Sequence, residues 1–309
     1  LVVRAAIVLA IGLFLGSLPT TIAVILAYYG VLFLLGVPFI ALRAGSLSLL
    51  AAGWCVAAPV LSHLLRPGLP PPSYDSPTLG GLLADPTGVL TELLFTGYYP
   101  AVPWLTYLLA GMAIGRLDLR RAGAAGRLAA LGAVLAVAAP LVSGALIGRP
   151  GVPDVLRRSL DTVPHEGGLS DTLEHGLYGV TPTESWWWLA TGAPHSATPF
   201  DLAATTGSAL LVIGGCLLLT RLLPSVWAVL FGAGAMTLSL YSLHVIMRTP
   251  LLWPDDDVPT FTLHVMTMLV VGALFRLLRL SGPLEKVTAL AAGAVRGRVS
   301  GRRASSAPR

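Results

Sequence analysis

Stretches of about 20 mostly apolar residues recur along almost the whole chain, each long enough to cross the roughly 30 Å hydrocarbon layer of a bilayer. Eight are placed near 3–19, 21–42, 46–65, 98–115, 126–147, 203–221, 225–247 and 260–279. Hydrophobic residues make up 55% of the chain and charged residues only 11%, whereas a soluble domain carries about 25% charged residues. A signal peptide would be one short segment near the start. Barrel strands would be shorter and would alternate apolar with polar residues. The pattern predicts an all-α fold, a polytopic membrane helix bundle with about eight transmembrane helices.

Charge placement predicts orientation. Arg116, Arg120, Arg121 and Arg127 follow the fourth segment against a single Asp118. Lys286, Arg296, Arg298, Arg302, Arg303 and Arg309 follow the last. Both groups read as cytoplasmic by the positive-inside rule. The acids collect in the other loops: Asp75, Asp85 and Glu92; Asp154, Asp161, Glu166, Asp171, Glu174 and Glu184; Asp255, Asp256 and Asp257. Eight crossings satisfy these loops together and put both termini in the cytoplasm. Arg66, Arg149, Arg157, Arg158 and Arg248 fall on the opposite side. The net charge of +5 is concentrated in short loops and the tail. It points to anionic membrane lipids as partners, not to nucleic acid. Cys55 and Cys216 lie mid-segment and read as buried small hydrophobes.

One membrane domain is expected over 1–281, with external loops at 66–97 and 148–202. Residues 282–309 form a basic, small-residue tail that is expected to be disordered. Within the second loop, DVLRRSLDTV, DTLEHGLYGV and TPTESWWWLA have the makings of short helices. Trp186, Trp187 and Trp188 favour the membrane interface.

Several residues could carry chemistry. His195 lies in TGAPHSATPFD, where a neutral imidazole could take a proton from a hydroxyl or amine and Asp201 could fix its tautomer. Equally, this is a loop in which Asp201 caps the next helix. His244 lies in LSLYSLHVIMRTP with Tyr241 on the same helical face, and His264 is a candidate partner. An ionisable residue at that depth faces a cavity or bonds another span. No H-x-x-x-H or Cys/His cluster suggests a metal. Tyr98, Tyr99 and Trp104 in GYYPAVPW could line a polar cavity or form an aromatic belt. Gly111 and Gly115 have helix-packing spacing. Arg116, Arg120 and Arg121 could hold phosphates, or simply obey the positive-inside rule. No nucleophile elbow, Walker loop or dinucleotide fingerprint is present.

The segments LAYYGVLFLLGVPFI, GYYPAVPWLTYLLAGMAIGRLDL, PHSATPFD and TLSLYSLHVI follow one another in the order seen in bacterial membrane proteins related to heparan-alpha-glucosaminide N-acetyltransferase. The resemblance runs from about residue 5 to 280. It implies a bundle that takes an acyl group, acetyl in the first instance, from cytoplasmic acyl-CoA and passes it to an extracytoplasmic sugar, glycan or glycolipid of the cell envelope. It also implies a histidine as base or acyl carrier and a location in the bacterial inner membrane. A homodimer or envelope-assembly proteins are further expected partners. The family's leading span, with its Arg-Gly opening, and the histidine-bearing region after it have no counterpart here. The family's catalytic histidine is then either upstream or absent, and in the former case the isolated chain is expected to be inactive. The rival reading is a non-catalytic transporter or scaffold for envelope precursors.

Overall fold

A computed structural model describes residues 1–71, 75–162, 167–250, 252 and 260–305, with backbone alone over 296–305. Glu166, Asp255, Asp256 and Asp257 lie outside the described residues, as do Arg309 and the side chains of Arg296, Arg298, Arg302 and Arg303. The regular structure is helical throughout the described residues. In chain order the helices are α1 (Val2–Leu15), α2 (Leu26–Leu35), α3 (Ala44–Leu65), α4 (Leu79–Ala84), α5 (Pro86–Thr91), α6 (Ala101–Ile114) and α7 (Ala122–Ile147). They continue with α8 (Val152–Leu160), α9 (Leu169–His175), α10 (Pro199–Leu219), α11 (Pro224–Leu230), α12 (Thr237–Met247), α13 (Phe261–Leu277) and α14 (Pro283–Ser305).

The all-α expectation stands, but the count of eight spans does not. Among the described residues three helices are long and apolar enough to cross a bilayer: Ala44–Gly68, Ala122–Ile147 and Pro199–Leu219. They make this a helical membrane protein. The other apolar segments are helical but shorter, for local reasons. Pro100 and Pro103 delay the fourth, leaving α6 with 14 residues. The seventh is broken by a 3-10 turn at Gly232–Ala235, whose glycines favour irregular backbone, so α12 has only 11 residues. The second begins at Leu26 and ends in a 3-10 turn around Pro38. Placing both termini in the cytoplasm relied on eight crossings and does not follow from three.

The chain divides into two compact units. The first comprises Leu1–Gly30, Ser76–Leu79 and Thr220–Arg309. In it α1 packs on α12 and α14, and α13 packs on α11 and the turn at Gly232–Ala235. Within the tail, residues Pro283–Ser305 are the helix α14. Its Glu285 carboxylate caps α12, accepting from the Leu238 N–H at 2.7 Å and the Ser239 N–H at 3.1 Å. It thereby satisfies donors that a helix start leaves open.

The second unit comprises Val31–Asp75 and Gly80–Leu219. Two helix pairs dominate it, α3 with α6 and α7 with α10. The small-residue contact is not at Gly111 and Gly115, since nothing faces the first and only its own helix faces the second. It lies between α7 and α10. A Cβ on Gly132 would stand 2.2 Å from the Leu211 nitrogen, and one on Gly214 would stand 2.5 Å from the Ala129 nitrogen. These glycines let the two backbones approach closely, as small residues do in membrane helix pairs.

The segment 148–202 folds on itself. The three short pieces expected there appear as α8, α9 and a 3-10 turn at Trp186–Ala190. Val152, Leu156, Leu160, Leu169 and Leu177 form a small core around Trp188, which is fully buried. The Trp188 indole donates to the Ser159 hydroxyl at 2.7 Å. Trp188 is therefore a core residue and not an interfacial anchor, whereas Trp186 is 55% exposed. Arg66, on the acidic side by sequence, has a structural use: its guanidinium donates to the Thr181 carbonyl and to the Ser62 hydroxyl, tying the loop to α3. Cys216 is exposed and Cys55 half-buried, so neither is the buried residue expected.

Candidate functional site

The second unit brings His195 onto the aromatic residues that open α6. The Tyr98 and His195 rings lie 5.1 Å apart, and the Tyr99 and His195 rings 6.1 Å apart. The aromatic row continues from Tyr99 to Trp104 at 5.1 Å and from Trp104 to Tyr107 at 5.4 Å, both edge-to-face. Tyr178 closes the other end, 5.7 Å from Tyr98. Edge-to-face rings at these separations attract beyond their burial, so the row is a firm ledge beneath the imidazole.

The loop that presents His195 is held in an unfavourable conformation. His195 has φ +55° and Ala197 φ +52°, a region that costs a non-glycine residue roughly 1–2 kcal/mol. Two sets of bonds hold it. Leu177 N–H donates to the Pro194 carbonyl at 2.8 Å, and Gly179 N–H to the His195 carbonyl at 2.9 Å. On the other side, the Asp201 carboxylate accepts from the Ala197 N–H at 2.9 Å and from the Thr205 hydroxyl at 3.3 Å. Thr198 caps α10 by accepting from the Asp201 N–H at 3.2 Å, and Pro199 suits the first helical position. Thr198 is the N-cap, and Asp201, at the third helical position, accepts from the residue before the cap.

Asp201 is thus no partner of the imidazole. Its carboxylate fixes the loop backbone at Ala197, and the cap of α10 is Thr198. Desolvation on the protein side lowers the His195 pKa below the ordinary histidine value, although its outer face is exposed. The ring is therefore neutral at pH 7 and able to accept a proton.

Tyr178 and Tyr107 belong to this ledge and were not among the residues singled out by sequence. A signal for Tyr178 exists in GLYG. Gly176 and Gly179 both have positive φ, and a Cβ on Gly179 would stand 2.3 Å from the Gly97 carbonyl oxygen. Only glycine lets this loop pass so near the backbone carrying Tyr98. Tyr107 joins through a hydrogen bond to Thr205. His63, also passed over, is buried with its ring 4.5 Å from that of Trp186.

The arginine edge sits at the far end of α6. Fourteen residues at about 1.5 Å each put it about 21 Å along the helix from the end of the ledge at Tyr98 and Tyr99. Arg116 donates to the Ile40 carbonyl. Arg121 is paired with Asp118 at 3.0 Å, both exposed. The Arg120 N–H donates to the same carboxylate. Part of the cluster is thus engaged in shaping the turn.

His244, His264 and Tyr241 lie in the first unit. The His244 and His264 Nδ1 atoms are 2.9 Å apart, with the rings nearly perpendicular. One of the two must donate and the other accept, so His264 is the partner that sequence spacing suggested. The Tyr241 hydroxyl accepts from the Ile25 N–H at 3.1 Å. Among the described residues no group of three or more His, Cys, Asp or Glu side chains could hold a metal. No family model matches the chain, and neither does any curated protein or solved structure.

Proposed function

We propose that the chain is the membrane part of an acyl-CoA-dependent acyltransferase. It would move an acyl group, acetyl in the first instance, to a sugar, glycan or glycolipid on the outer side of a bacterial plasma membrane. The observation that carries this reading is the strained, half-exposed His195 on its aromatic ledge. Backbone strain held in place by surrounding bonds is characteristic of active sites. Aromatic faces suit the apolar face of a sugar ring. The arginine edge at the other end of α6 suits the phosphates of the donor and would face the cytoplasm.

The reaction balances as follows. The neutral His195 ring takes the proton of the acceptor hydroxyl or amine while that atom attacks the thioester carbonyl. The carbon–sulfur bond breaks, and the CoA thiolate leaves and recovers the proton from the imidazolium. His195 is the base; Asp201 is a positioning residue that acts through Ala197. His244 and His264 are a second candidate proton-transfer pair on the same reading, and the resemblance alone supports them.

The donor half is tested by binding. Arg120→Gln with Arg121→Gln, Arg116 being kept for its contact with Ile40, is expected to weaken acetyl-CoA binding about tenfold or more, the scale of one charge-assisted hydrogen bond. Because these arginines are exposed, the loss should shrink as salt is raised. Calorimetry showing unchanged affinity in the folded double variant would remove the edge from the donor site.

A further inference from the structure

Between the pair α3/α6 and the pair α7/α10 lies a cleft of about 540 Å³, within the roughly 300–1,000 Å³ range of ligand pockets. Its two ends differ. At the end nearer the aromatic ledge stand Cys55, Thr106 and Thr206; at the other stand Leu117, Leu128 and Leu210, with Ser48 the one polar side chain among them. Thr106 is 2% exposed, and the hydroxyls of Thr106 and Thr206 are both buried without a hydrogen-bond partner. A buried hydroxyl left unsatisfied is costly, and two such groups on one apolar cleft mark where a polar atom of a ligand would sit. Leu131 also lines the cleft and is 52% exposed. The cleft therefore opens sideways on the apolar flank of the bundle, where lipid has access.

We infer that this cleft holds one acyl chain of a membrane glycolipid, its ester carbonyl at Thr106 and Thr206 and its sugar on the aromatic ledge, so that the acceptor is lipid-linked. The polar and apolar ends are in the right order. From Thr106 a chain runs on the order of 12 Å beside α6 to Ile114, away from the ledge. In the opposite direction Trp104 and Tyr107 lead from Thr106 to Tyr99 and His195. The site of the chain stands on the cleft alone; the role of the sugar as acceptor rests on the acyl-transfer reading above.

The test uses the full chain in phosphatidylcholine nanodiscs with monoglucosyl diacylglycerol carrying a photoactivatable group on one chain. Crosslinks are expected at Leu128, Leu131 and Leu210. Ala110→Phe, which fills the cleft from α6, is expected to reduce them by about tenfold or more. Thr106→Val keeps the shape and removes a donor, and should weaken labelling about two- to tenfold; it serves if the phenylalanine variant does not fold. The same photoactivatable chain on phosphatidylcholine should label the cleft weakly. Crosslinks spread over the outer faces of the helices, or undiminished in both cleft variants, would overturn the chain site. Equal labelling by the two lipids would overturn the glycolipid assignment. Cleft labelling without any acyl transfer would reject the acyltransferase reading and keep the lipid site, and the converse result would do the reverse.

Discussion

Replacing His195 with alanine is expected to slow acyl transfer by about 10²–10⁴-fold, the usual contribution of a positioned general base, with the fold and acetyl-CoA binding intact. The imidazole stands on the Tyr98 and Tyr99 rings and makes no contact that holds the bundle together, so its removal should act on chemistry first. The pH profile adds a second readout. Desolvation lowers the His195 pKa, so the neutral, proton-accepting form persists into acid. The rate should fall with decreasing pH only below the ordinary histidine range, as the ring becomes protonated. His195→Gln should lose that acid limb. A loss smaller than about threefold, with an unaltered profile, would demote His195 to a loop residue, and the same assay on His244→Ala would then decide for or against the second pair.

Trp188→Ala is expected to cost about 3–5 kcal/mol, as for large aromatic residues deleted from a packed core. The indole is fully buried among the leucines of α8 and α9 and bonded to Ser159. The cost should fall on the segment 148–202. Hydrogen exchange over α8 and α9 should accelerate strongly, while α7 and α10, which pack on each other through their glycines, stay protected. Trp188→Phe keeps most of the buried area and loses the hydrogen bond to Ser159, and should cost about 1 kcal/mol beyond its lost area. Unchanged protection of α8 and α9 in the alanine variant would show that this loop is held by something other than its small core.

The apolar segments were legible in the sequence, and each became helix at least in part. Their continuity was not. Hydropathy averaged over 225–247 does not register that Gly232 and Gly234 turn the backbone, nor that Pro100 and Pro103 postpone α6. Hence eight windows yield three helices of spanning length among the described residues. The small and basic residues of the tail give no sign that Glu285 ties the start of α14 to α12, a contact between residues 47 apart that composition cannot reveal. The same holds for the site. PHSATPFD allowed Asp201 to serve either the imidazole or the helix start, and only the folded loop decides for the helix. Tyr178 and Tyr98 lie far apart in the chain and meet because two glycines let their loops pass closely. The Thr106 hydroxyl looked like any other threonine until its surroundings lacked an acceptor.

Sided acyl transfer in sealed proteoliposomes tests the central claim most directly. Radiolabelled acetyl-CoA is supplied on the face bearing Arg116, Arg120 and Arg121, and monoglucosyl diacylglycerol is present in the bilayer. The account predicts label on the sugar at the face bearing His195, its near-complete loss in His195→Ala, and none when the donor is given only at the His195 face. Absence of label with the wild-type chain, or equal transfer from either face, would contradict it.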